Sequence, residues 1–225
     1  MKTNEELRKD VMEEIKWDPE LKNLATEIGV AVNDGVVTLS GVVDTYWKKL
    51  AAEKAAQRVL GVKVVATDID VRLGSYGKKT DTEVADAIRN ALRWNSAVNE
   101  DKIEVKVENG WVYLDGVVDY AYEKRYAQDS VEDLVGVTGV TNNIEVKTTS
   151  IDTKDIQRKI AAAYHRSATI DSASIRIESK GNRVTLKGKV RSWAEKKEAA
   201  DIAWAAPGVL GVDNQIEIEI GVLAE

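Results

Sequence analysis

The 225-residue chain contains no cysteine and no phenylalanine, two prolines and a single histidine. Without cysteine there is no disulfide framework and no thiol to act as nucleophile or metal ligand. Without phenylalanine, the six tryptophans, seven tyrosines and the aliphatic residues must supply the bulk of any core. One histidine, His165, rules out imidazole pairs, and no serine sits in a nucleophile motif. No run of about 18 apolar residues is present, so no transmembrane segment is expected. The opening MKTNEELRKDV has no apolar signal region, which predicts a cytoplasmic protein, or a periplasmic one if a leader has been removed. A net charge of −6 argues against nucleic-acid binding.

What is there is repeated three times. VVTLSGVVD (36–44) returns as WVYLDGVVD (111–119) and as RVTLKGKVR (183–191). Gly41, Gly116 and Gly188 are separated by 75 and 72 residues, and a second set, Gly61, Gly136 and Gly208, keeps the same offsets. A repeat of this kind sets the architecture before any single residue is interpreted. It predicts domains at 1–73, 79–147 and 151–220. Charge is spread unevenly. Residues 1–78 hold 12 basic and 13 acidic side chains (net −1), 79–150 hold 8 and 14 (net −6), and 151–225 hold 12 and 11 (net +1).

Each unit opens on a helix start: Thr3-x-x-Glu6 and Thr80-x-x-Glu83 are capping boxes, and Asp152-x-x-Asp155 occupies the matching place. Leu7, Val11, Ile15; Val84, Ile88, Leu92; and Ile156, Ile160, Tyr164 form helical stripes. Alternation follows at Ile28, Val30, Val32; Ile103, Val105, Val107; and Ile175, Ile177, the signature of half-buried strands. Asp34-Gly35, Asn109-Gly110 and Gly181-Asn182 are hairpin turn pairs. The returning strand carries Gly41, Gly116 or Gly188 on its core-facing parity, which predicts close approach of another backbone, read here as a helix crossing the sheet. An alanine-rich second helix is expected at about 46–60, 121–135 and 193–206, ended by Gly61, Gly136 and Pro207-Gly208. A final strand runs over Val62–Val71, Val137–Val146 and Val209–Ile218. The predicted fold class is α+β. Three tandem α-β-β-α-β two-layer sandwiches each carry a small mixed three-stranded sheet covered by two helices.

This pattern resembles the BON family, named for a bacterial osmotic-stress protein and nodulation proteins. The resemblance rests on V-x-L-x-G (Val37–Gly41, Val112–Gly116, Val184–Gly188). It rests also on the helix-ending glycine followed by V-x-x-V-x-x-x-I (Val62, Val65, Ile69; Val137, Val140, Ile144; Val209, Val212, Ile216). It implies the α-β-β-α-β fold and a role at phospholipid or membrane surfaces under osmotic or envelope stress. Relatives that join one such domain to a peptidoglycan-binding module sense potassium, and no such module is visible here.

Function should lie where the copies differ. Outward positions of the returning strand read Val36, Thr38, Ser40, Val42, Asp44 in unit one and Trp111, Tyr113, Asp115, Val117, Asp119 in unit two. In unit three they read Arg183, Thr185, Lys187, Lys189, Arg191. Val36, Val42, Trp111, Tyr113 and Val117 are expected at an interface in which units one and two pack together or against another subunit, with lipid or peptide binding as the competing reading. Arg183, Lys187, Lys189 and Arg191 form a basic stripe, either solvated or aimed at anionic headgroups or an acidic partner. Trp17 and Trp94, at one matched position, and Tyr46, Trp47, Tyr120, Tyr122 and Trp193 at second-helix starts are expected to pack at core edges; a membrane interface is the alternative. Asp68 and Asp70 are read as a solvated strand face and not a metal site. His165, which matches Lys16 and Arg93, is read as a positive residue at a helix end. No cofactor or metal is expected and no enzyme. Three functions remain: a stress-related phospholipid-binding protein, a structural or chaperone-like oligomerising protein, or an ion or small-molecule sensor.

Overall fold

The computed structural model describes residues 2–22, 26–74, 77–147 and 153–219. Unit one contains α1 (Asn4–Trp17), β1 (Ile28–Asn33), β2 (Val36–Val43), α2 (Tyr46–Arg58) and β3 (Val64–Val71). Unit two contains α3 (Asp81–Trp94), β4 (Ile103–Glu108), β5 (Trp111–Val118), α4 (Ala121–Glu132), β6 (Gly139–Asn142) and β7 (Glu145–Val146). Unit three contains α5 (Thr153–Arg166), β8 (Ile175–Lys180), β9 (Arg183–Val190), α6 (Trp193–Ala205) and β10 (Gly211–Ile218). In each sheet the returning hairpin strand is central, antiparallel to the strand before it and parallel to the strand after the second helix. The α+β class and the three mixed sheets match the expectation.

Local chemistry explains the elements. The Thr3 hydroxyl accepts from the Glu6 amide at 3.2 Å while Glu6 accepts from the Thr3 amide at 2.7 Å. Thr80 and Glu83 repeat both bonds at 3.2 and 2.9 Å. Two first-turn amides of each helix thereby gain partners. The corresponding Asp152 lies outside the described residues. Asp34-Gly35 and Asn109-Gly110 both have positive φ at both positions, as a two-residue turn matched to strand twist requires. In the third turn only Gly181 does. The helical stripes are buried in all three units, and so are Val37, Leu39 and Val43 with their counterparts. Each fully buried aliphatic side chain contributes about 1.5–3 kcal/mol. Ala52, Ala55, Ala56, Ala127, Ala199 and Ala203 let the second helices lie close on the sheets.

Two expectations are corrected. The glycines of the central strands do not make room for a helix. A Cβ on Gly41, Gly116 or Gly188 would fall well inside contact distance of the carbonyl oxygen of Glu27, Lys102 or Ser174, the residue entering the neighbouring strand. The approaching backbone belongs to the sheet. The last strand of unit two is also not continuous. It breaks over 143–144 into β6 and β7, although the Asn143 amide still donates to the Leu114 carbonyl at 2.8 Å. Asn142 bonds the Ile144 amide and the Lys124 carbonyl, and Asn214 makes the same two bonds with β10 unbroken. Nothing in the structure explains why only the middle strand is interrupted.

The units meet through their second helices. Tyr46, at the start of α2, packs against the core of unit two. α6 contacts both α2 and α4, with Arg125 of α4 3.8 Å from Asp201 of α6. Glu132 of α4 sits at the α2 junction, accepting from Gln128 at 2.6 Å. Burial raises its carboxyl above the usual range, against the opposing influence of Gln128 and Lys54, with Asp129 and Asp133 pushing the same way as burial. The folded chain therefore binds a proton there more readily than the unfolded chain does. That contribution to stability is complete below the ordinary carboxylate value and is lost as pH rises through the raised one. Glu132→Gln is expected to flatten the melting-temperature profile as pH rises above the ordinary carboxylate value. An unchanged slope in the variant would remove Glu132 as its source.

Candidate functional site

The basic stripe dissolves into pairs. Lys187 lies 2.6 Å from Glu178 on the adjacent β8, and Lys189 lies 2.9 Å from Glu219 beyond β10. Arg191 turns to Glu195 in the first turn of α6, at 2.6 Å. The Glu219 and Glu195 partners hold the Lys189 and Arg191 side chains above their ordinary pKa values. Asp213 and Glu217 oppose Thr185 and Lys189 on the other flank. Only Arg183 keeps a loose position, lying along Gly211. The third face is mixed in sign, so it does not present the concentrated positive field the strand sequence suggested.

Val36, Trp111 and Val117 are 39%, 43% and 46% exposed, while Val42 and Tyr113 are half-buried. Units one and two thus do not pack together through these residues; they meet on the opposite side of the sheets, where the start of α2 lies against the end of α4 and the turn after it. Trp111 is held by its own sheet. Its ring lies over Gly139, where a Cβ would come within 2.5 Å of it, and its Nε1 donates to Thr141 Oγ1 at 2.9 Å. The Lys106 ammonium sits 5.6 Å from the centre of the Tyr113 ring.

The helix-end tryptophans behave differently. Trp17 and Trp94 close α1 and α3 and are 83% and 86% exposed. Core-edge packing does not account for either. Each follows a cation, Lys16 or Arg93, the latter 3.1 Å from Glu100. The 96–101 loop after α3 lies against Tyr122 and Glu123, so Trp94 closes the helix at the end of unit two where α4 begins. There Tyr120 and Tyr122 stack at 5.4 Å, and Tyr122 meets Tyr126 at 5.9 Å. Trp193 does pack at its core, with Lys196 5.8 Å from its ring centre. In unit three the position of Trp17 and Trp94 holds Arg166.

A BON-domain family model matches residues 3–72, 80–148 and 152–220. The chain belongs to the BON-domain family. Among curated proteins, the osmotically-inducible protein Y of Escherichia coli (strain K12) is 30% identical over 127 residues, 55% of this chain and 63% of that protein. The match therefore spans less than two thirds of the relative's length. Two solved structures of CdsD, a structural protein of the type III secretion system of Chlamydia trachomatis, align over 94% and 95% of this chain and 91% and 97% of theirs. At 14% and 15% identity and TM-scores of 0.27, they carry no argument about it.

Two of the three BON units share a device at the start of the second helix. Glu123 accepts from the Asp119 and Tyr120 amides at 3.0 and 2.8 Å, and Glu195 accepts from the Arg191 amide at 2.8 Å, closing the second helices at their N-termini. The Ser192-x-x-Glu195 spacing was a readable sign. The first BON unit carries Lys48 there instead, paired with Asp44 at 2.7 Å, and Thr45 Oγ1 is buried without a partner. In the third unit His165 Nδ1 lies 2.9 Å from Ser172 Oγ at an exposed helix end. Asp70 is exposed beside Arg72 at 3.3 Å. Among the described residues no group of three acidic or histidine side chains converges as a metal site would require, and no helix is long and apolar enough to cross a membrane.

Proposed function

We propose that this BON-domain chain is a non-catalytic, stress-related binding protein that attaches to phospholipid surfaces by the tryptophan-tipped ends of its first two units. The observation that carries the reading is the near-complete exposure of Trp17 and Trp94 at one matched position, each next to a cation. Indole rings have an apolar body and a polar N–H, and they settle at the headgroup level of a bilayer. The adjacent Lys16 supplies attraction to anionic lipid in unit one, while Arg93 is paired with Glu100. The osmotically inducible relative supports the stress setting.

Sedimentation with phosphatidylglycerol-containing vesicles tests it. The Trp17→Ala/Trp94→Ala double variant is expected to bind at least about tenfold more weakly, a change of about 1.4 kcal/mol. Tryptophan emission of the wild type should shift to shorter wavelength on vesicle addition. Lys187→Gln/Lys189→Gln is expected to bind nearly as well as wild type, because those lysines are already paired with Glu178 and Glu219. Wild-type affinity in the tryptophan variant, or loss of binding in the lysine variant alone, would refute the assignment.

A further inference from the structure

The outermost strand of unit one differs from every other sheet edge in the described residues. β1 reads Ile-Gly-Val-Ala-Val-Asn, six residues without a charge, and its ladder partner is β2 alone. Its outward positions are Gly29, Ala31 and Asn33, all exposed. The equivalent strands of the other units carry Glu104, Lys106, Glu108 and Arg176, Glu178, Lys180 at those places. On the opposite edges, β3 has Asp68 and Asp70, and β10 has Asp213 and Glu217. β6 is uncharged but only four residues long, and it gives way to a break. Charges and short length are the means by which edge strands avoid pairing with further strands. Three copies of one fold thus provide an internal comparison, and only β1 is left both long and unguarded.

We propose that two copies of this chain associate by antiparallel pairing of their β1 strands, joining two three-stranded sheets into one of six. Opposed residues on antiparallel strands must share a sheet face. A register centred on Ala31 meets that condition: Ala31 faces its own copy, Val30 faces Val32 and Gly29 faces Asn33. The helix side of the seam receives valines and the outer side receives small uncharged groups. No like charges are opposed, and no side chain larger than asparagine stands on the outer side of the seam. This self-complementarity is what selects a second copy as the occupant. The inference is independent of the lipid-binding reading, which uses the helix ends.

Sedimentation velocity of the full chain tests it. The mass is expected to double between about 1 and about 100 µM, with Ala31→Lys remaining monomeric throughout. Lysine is compatible with the fold at this place, since unit two has Lys106 there, so far-ultraviolet circular dichroism of the variant should match wild type. A wild type that stays monomeric over the range, including one that binds an extended peptide instead, overturns the proposal, as does a dimer that survives Ala31→Lys. Should that variant fail to fold, hydrogen exchange on the wild type decides. Protection of β1 amides must rise with protein concentration while that of β4 and β8 does not, and no rise overturns the proposal.

Discussion

Gly116→Val is expected to remove a large part of the middle unit's stability. Gly116 has φ +143°, a region that residues with a Cβ rarely adopt. The added side chain would also meet the Lys102 carbonyl, which cannot retreat because Ile103, the next residue, pairs with Gly116 in the ladder. Strain and collision together cost at least about 3 kcal/mol. A unit of roughly 70 residues has about 4–10 kcal/mol of stability in all. Gly41, with φ +133°, and Gly188, with φ +136°, face the Glu27 and Ser174 carbonyls in the same manner. Valine at each should therefore destabilise its own unit by a similar amount. Hydrogen exchange resolved by unit reads the result, with Gly74→Ala as a control because nothing lies within 4 Å of a Cβ there. Protection in unit two that survives Gly116→Val would show that the strand can flatten and let the carbonyl pass.

Tyr164→Ala is expected to cost about 3–5 kcal/mol. Tyr164 is the largest fully buried side chain of unit three and takes the stripe position held by Ile15 and Leu92 in the other units. Its hydroxyl donates to the Ala199 carbonyl of α6 at 2.9 Å, tying the two helices together through the core. Burial pushes the phenol well above its usual pKa, which keeps the donor proton in place. Truncation removes both the ring and the bond. Tyr164→Phe keeps the ring and should cost only about 1 kcal/mol, and Tyr164→Leu, the solution used in unit two, should fall between them. Urea denaturation measures all three. Equal losses for phenylalanine and alanine would mean that the hydroxyl, not the ring, holds the unit together.

The difference between what was legible and what was not follows the range of the interactions. The capping boxes at Thr3 and Thr80, the Asp34-Gly35 turn and the helical stripes depend on residues within a few positions, and the sequence announces them. The glycine at position 116 announced a close neighbour but not its identity, because Lys102 reaches it only through the hairpin register. The basic stripe was visible in β9, whereas its neutralising partners come from β8, α6 and a residue past β10. Trp17 and Trp94 were harder still. The same amphipathic ring suits a core edge and a solvent-facing tip, and nothing local distinguishes them. The exposed faces of sheets one and two were unreadable for a related reason: which surfaces the units share depends on helix-to-helix docking that leaves no periodic signal.

That docking has a consequence for valency. With α2, α4 and α6 gathered at the middle, the three sheets turn their bare sides outward, away from one another. A partner engaged on one side leaves the others open. Were partners engaged on two sides at once, the helix docking would hold them at a fixed spacing.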